Sequence, residues 1–240
     1  MDGSKIQIEG QLNTGKFGFY ISMITAIITL VTFVIAINTP PLSGPFCTGS
    51  CFEYPYADIA SRFPRDYFWM YSAIVLSFCY LIMMGCIYQV TPSHKKVFAM
   101  IGVLFATMSA MILSVNYFVQ VSVIQPSLLA GETVGIALIT QFNPHGIFIV
   151  LEEIGLFMMV ISFFALFPIF DKRNLLEKGI RYTTIIGFVL TIVSFALVSI
   201  IYGIHREYLF EVAIISITWL ELILLGILFA RYFRRTKDVY

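Results

Sequence analysis

The stretch Val97–Gln120, VFAMIGVLFATMSAMILSVNYFVQ, runs without a single Asp, Glu, Lys, Arg or His, and it directly follows the basic His94-Lys95-Lys96. As a helix rising ~1.5 Å per residue it reaches ~36 Å, enough to cross a hydrocarbon core ~30 Å thick. A surface helix of that length in a soluble protein needs a charged face, and this stretch has none. In lipid, by contrast, an unbroken helix is the structure that satisfies every backbone N–H and C=O internally. Val97–Gln120 therefore predicts a transmembrane span.

Five more runs have the same character: Phe17–Asn38, Asp66–Val90, His145–Phe170, Ile180–Ile204 and Tyr208–Ala230. The whole chain agrees with them. Of its 240 residues 59% are hydrophobic and only 12% charged, with mean hydropathy +0.88. Soluble domains carry roughly 25% charged residues, so the apolar excess must face lipid. The expected fold class is all-α: a polytopic bundle of six spans in a single integral-membrane domain over residues 1–240, with no soluble domain. The first run exceeds the ~7–15 residues of a signal-peptide core, and no small-x-small cleavage site follows Asn38, so it is read as a retained span.

Six spans sort the basic residues. Lys5, Lys16, Lys95, Lys96, Lys172, Arg173, Lys178, Arg181, Arg231, Arg234, Arg235 and Lys237 fall on the side of the termini, twelve of the fifteen, and Arg62, Arg65 and Arg206 on the other. None is left deep within a span; Arg181 stands at the inner edge of Ile180–Ile204. By the positive-inside rule both termini are expected in the cytoplasm, and five or seven spans would scramble the sorting. The turns near Thr91–Lys96 and Asp171–Gly179 are then tight cytoplasmic hairpins. The longer connections Thr39–Arg65 and Val121–Pro144 lie outside. Within the second, Ser127–Gln141 is apolar but broken by Gly131, Glu132 and Gly135; it fits either a short interfacial helix or a partly re-entrant segment. No internal repeat is visible, nor a mid-span Gly/Pro break of the transporter kind.

Net charge of +1, without a basic cluster interleaved with aromatics, excludes a nucleic-acid partner. Membrane lipid is the expected contact, and the basic C-terminus is simply explained as an anchor on anionic lipid. No feature of the sequence sets an oligomeric state. Nucleophile-elbow, Walker A, dinucleotide-binding and zincin motifs are all missing. With three histidines, one of them the cytoplasmic His94, a three-His zinc site is not available. Two outer histidines away from span centres make haem a poor fit, so no metal or cofactor is expected.

Cys47-Thr-Gly-Ser-Cys51 stands in the first outer loop, where an oxidising space permits a disulfide. The three intervening residues let the Cα atoms approach the ~4.4–6.8 Å that a bridge needs. Its plain role is a staple on a proline-rich loop (Pro40, Pro41, Pro45, Pro55). A redox pair exchanging electrons with a membrane quinone is the bolder alternative, although the spacing is not C-x-x-C. Cys79 and Cys86, seven residues apart on one helical face of the second span, read as small apolar fillers.

Carboxylates inside a span cost on the order of 3 kcal/mol on the lenient insertion scale and are functional candidates by default. Glu152, Glu153, Glu211 and Glu221 are such residues. With Asn143 as N-cap and Pro144 at the first helical position, Glu152 would lie ~12 Å down its helix, and Glu153 about 100° around from it. Asn116 and Gln120 share one face near the outer end of the third span. Together with His145, Tyr202, His205 and Glu211 they occupy the outer half of the membrane, where they converge on a candidate ligand site. Three uses are open to them: hydrogen bonds that merely hold helices together, a ligand pocket, or a proton or ion relay through Glu153 and Glu221.

The run Asn116-Tyr-Phe-Val-Gln, then Gln125-Pro-Ser, Asn143-Pro-His-Gly, Glu152-Glu153 and the Cys47-Thr-Gly-Ser-Cys51 loop resembles, over most of the chain, a family of prokaryotic multi-pass membrane proteins that carries no assigned activity. The resemblance implies a compact helical bundle in a prokaryotic plasma membrane. In residue types, though not in motif, the polar set is also similar to the emopamil-binding sterol isomerases, where a membrane cavity holds His, Glu and Trp. The leading functional expectation is a membrane protein that binds or moves a small amphiphilic molecule. Glu152 or Glu153 would anchor it, with Asn116, Gln120 and His145 as hydrogen-bonding partners. The second expectation is an enzyme acting on a lipid or isoprenoid by proton transfer, with a desolvated Glu and His145 as acid and base.

Overall fold

In the computed structural model, which describes residues 2–39, 41–172 and 174–238, the chain is an all-α bundle. Its helices are α1 (Asp2–Ile37), α2 (Phe68–Val90), α3 (Lys96–Val119), α4 (Gln125–Leu129), α5 (Ile136–Ile139), α6 (Ile147–Phe164), α7 (Leu175–Tyr202) and α8 (Glu207–Asp238). Among the described residues there is no strand. Six helical segments are long and apolar enough to cross a membrane: Thr14–Ile37, Arg65–Val90, Ser93–Leu129, Ile147–Phe164, Leu175–His205 and Tyr208–Arg235. The protein is thus a multi-pass membrane protein. Pro40 and Arg173, part of the expectations for the first loop and the basic side, lie outside the described residues.

Packing follows small residues. α1 lies antiparallel against α8: the Cα of Gly226 approaches Ser22 and Ala26 so closely that an added Cβ would stand 2.9 Å from the Ser22 carbonyl oxygen. Gly18, Ser22 and Ala26 recur every four residues on α1, the spacing that lets two membrane helices bring their backbones together. The buried hydroxyls of α1 are satisfied within the helix itself, Ser22, Thr25, Thr29 and Thr32 each donating to the carbonyl four residues back at 2.7–2.8 Å. α1 also packs on α2, α2 on α3, α3 on α6 and α6 on α8, which closes a ring of five helices. α7 lies outside this ring against α6 and α8, and most of its length is turned to lipid.

The third and fourth spans differ most from expectation. The third span does not stop at Gln120. A π turn over Gln120–Ile124 carries α3 into α4 and on to Leu129. Pro126 is the reason for the wide turn: it has no N–H to offer the preceding turn, and its ring would crowd the Ser122 carbonyl in a regular α-helix. Ser127–Gln141 therefore holds the end of this long helix, a turn through Gly131 and Gly135 (φ +78° and +82°) and the short α5, which folds back against α6 and the π turn. The fourth span is shorter than His145–Phe170. α6 begins only at Ile147, with Gly146 as N-cap, and gives way to turns after Phe164, ahead of Pro168. Asn143 is consequently not the N-cap; its Oδ1 accepts from the His145 N–H at 2.9 Å and its Nδ2 donates to Ala137 O at 2.6 Å.

At the end of the bundle away from the termini, Cys47 and Cys51 are disulfide-bonded with Cα atoms 6.0 Å apart. The bridge closes the loop that leads from α1, and Phe52 N–H donates back to Leu42 O at 2.7 Å. That loop lies over the site described next.

Candidate functional site

Between α1, α2, α6 and α8, under the 41–46 loop, is a cavity of about 190 Å³. Trp69, Trp219, Phe142, Phe148, Phe46 and Tyr208 give it aromatic walls, while Asp66, Glu152 and Glu211 contribute acid groups. Among the described residues no Lys, Arg or His lines it.

Helical register sets the two glutamates at one level. Since α6 starts at Ile147, Glu152 sits only about one and a half turns in, roughly 7 Å from the helix start rather than ~12 Å. Glu211 lies about one turn into α8. Both are buried, Glu152 at 1% exposure, and their carboxyl groups adjoin. Tyr117 on α3 donates its hydroxyl to Glu152 Oε1 at 2.6 Å. The other oxygen, Glu152 Oε2, is buried without a partner of good hydrogen-bond geometry. Two carboxylates side by side in a medium of low dielectric repel, so the arrangement calls for a counter-charge or a shared proton.

The third acid is already matched. Asp66 takes two bonds from Arg62, at 2.8 and 3.2 Å, across an i,i+4 pair. Over the cavity, the Gln141 N–H donates to Gln120 Oε1 and its carbonyl accepts from the Tyr208 hydroxyl at 3.0 Å. Tyr208 Oη also hydrogen-bonds Ser43 Oγ of the loop at 2.8 Å. A chain of polar contacts thus ties the roof to α3 and α8.

The residues expected to converge are divided by this geometry. Glu152 and Glu211 line the cavity. Asn116 donates to Phe148 O at 2.9 Å and Gln120 to Ile139 O at 2.6 Å, so both are spent on backbone carbonyls that hold α5 and α6 in place. Glu153 faces away from the cavity and is ion-paired with Arg206 at 2.6 Å. His145, Tyr202 and His205 are exposed and do not line the cavity. Glu221 is separate and deeper: its buried carboxyl, with neither oxygen partnered, packs where Gly187 on α7 leaves room for it. Among the described residues no three His, Cys, Asp or Glu side chains converge as metal ligands.

Sequence reasoning missed Tyr117, Trp69, Asp66, Tyr208 and Ser43. Tyr117 lies inside the Asn116–Gln120 run, and aromatics near span ends read first as interfacial anchors. The Arg62–Asp66 spacing was the one recoverable signal, an i,i+4 pair of opposite charge at the head of a span.

Fold and site together define a polytopic helical membrane protein with an acidic, aromatic-walled cavity near one end of its bundle. Comparison with protein-family models, curated proteins and solved structures gives no match. The chemistry of the cavity is therefore argued from its own residues.

Proposed function

We propose that this protein resides in a prokaryotic plasma membrane with both termini in the cytoplasm and binds a small amphiphilic molecule in the Glu152–Glu211 cavity. Twelve of its fifteen basic residues on the terminal side support the orientation. A disulfide at the opposite end agrees with it, since disulfides persist in oxidising spaces.

One observation carries the ligand assignment: Glu152 Oε2 is buried with no donor of good geometry besides the adjoining Glu211 carboxyl, and its residue lines an aromatic-walled cavity. Buried polar atoms are almost always hydrogen-bonded, and exceptions mark functional sites or bound species. A concave, mostly apolar space with a few convergent polar groups is the usual form of a small-molecule site. Glu152 takes the anchoring role; Glu153 is occupied by Arg206.

Native mass spectrometry of gently purified protein tests this. A single small molecule at one copy per chain is expected on the wild type. It should be absent from Val212→Trp, a lining position on α8 where the larger side chain takes up cavity space. Phospholipid alone, at variable occupancy and equal on both proteins, would contradict the proposal.

A further inference from the structure

We propose that the ligand is a cation: a small amphiphile whose primary or secondary ammonium sits between Glu152 and Glu211, with its apolar part against Trp69 and Trp219. This rests on the cavity being a ligand site and names the chemical class it takes.

Charge comes first. Among the described residues the lining holds three carboxyl groups and no basic side chain. Arg62 accounts for Asp66, which leaves the adjoining Glu152 and Glu211. An anion placed there meets two like charges in a medium of low dielectric. A proton shared between the two carboxyls relieves their repulsion but leaves one negative charge, which a neutral molecule does not balance. An ammonium balances it.

Hydrogen bonding narrows the cation. Glu152 Oε1 has the Tyr117 hydroxyl, and Oε2 has no donor of good geometry besides the adjoining Glu211 carboxyl. A primary or secondary ammonium supplies an N–H to it; a quaternary ammonium has none to give. A hard divalent metal is a poorer match, because such ions take six or more oxygen ligands and no three acidic, His or Cys side chains converge among the described residues. The walls point the same way. Aromatic faces attract organic cations and accept their apolar bodies, and Trp69 and Trp219, with ring centroids 6.3 Å apart, stand together on the lining.

The test uses the protein's own reporters. Trp69 and Trp219 are the chain's two tryptophans, and both line the cavity. Tryptophan emission, excited where tyrosine does not absorb, is followed in nanodiscs while octylamine, octanol, octanoate or octyltrimethylammonium is added. The four share one chain and differ in head group. Octylamine should bind saturably, about tenfold or more tighter than each of the others, the difference expected of a charged hydrogen bond. Glu152→Gln should remove that preference, with a thermal unfolding transition as cooperative as the wild type's showing that the variant is folded.

Octanol or octanoate binding as tightly as octylamine would overturn the cationic assignment and leave the pocket standing. No saturable change with any probe would overturn both. Nanodiscs of phosphatidylglycerol alone, or with added phosphatidylethanolamine, separate two sources of the ammonium. Competition by the ethanolamine lipid assigns it to a headgroup, and equal octylamine affinity in both assigns it to a free amine.

Discussion

Arg206→Gln destabilises the bundle by about 2–3 kcal/mol, because it leaves the buried Glu153 carboxyl without its half-buried cation. Glu153 is 7% exposed at its side chain and has the Arg206 guanidinium at 2.6 Å. That guanidinium is itself held over the rings of Phe195 and Phe210, at 5.4 and 5.8 Å from their centroids. Gln in its place keeps some packing but brings no charge. Glu153 then remains buried as an unpaired carboxylate one residue from Glu152. The double variant Arg206→Gln/Glu153→Gln should recover most of the loss, because it removes the orphaned charge together with its partner. Thermal unfolding in detergent checks both. A single variant within ~0.5 kcal/mol of the wild type would place the contact among surface ion pairs that contribute little.

Gly226→Leu has an effect of comparable size by a different route. A Cβ at this position stands 2.9 Å from both Ser22 O and Ala26 Cβ and 3.2 Å from Ala26 N. The obstacle is largely backbone, which cannot rotate aside as a long side chain would. α1 and α8 must separate, and the buried contacts along Gly18, Ser22 and Ala26 weaken with them. Overpacking of this kind costs ~1–3 kcal/mol for modest insertions and more for a large one. A loss of about 3 kcal/mol or more is expected, again read by thermal unfolding. Gly85→Leu is the control: it is a mid-helix glycine with nothing within 4 Å of an added Cβ. It should be neutral or stabilising through helix propensity alone. Equal losses at the two positions would mean that α1 and α8 are not in the contact described.

Hydropathy made the six spans legible because lipid leaves a backbone few choices. Each observed span overlaps the run that suggested it. The errors sit where hydropathy is not the deciding force. At Gln120 the apolar run weakens and a proline follows, yet the helix absorbs Pro126 through a π turn and continues. At Asn143-Pro144 a familiar capping pattern is present, but the Asn side chain is used in a turn, and the helix waits for Gly146. The α1–α8 contact was written in the sequence as Gly18, Ser22 and Ala26, a small-residue spacing that hydropathy does not register.

For the site, the cost of burying a carboxylate singled out Glu152 and Glu211, which line the cavity. It gave no means of separating them from Glu153, which sits next in the chain and has a cation of its own. That distinction depends on which neighbour each residue faces, and 100° of helical rotation decides it. Asn116 and Gln120 show the same limit in another form. Their shared face was readable, whereas their partners are backbone carbonyls of Phe148 and Ile139, in segments that no periodicity brings next to α3.

The central claim is that Glu152 and Glu211 face a bound molecule, and an experimentally determined structure of the protein in a lipid nanodisc tests it most directly. Density for a small non-phospholipid molecule should lie between the two carboxyls and against Trp69 and Trp219, with an atom within hydrogen-bond reach of Glu152 Oε2. The contradicting result is a cavity closed by its own side chains, with the two carboxyl groups hydrogen-bonded only to each other and to Tyr117.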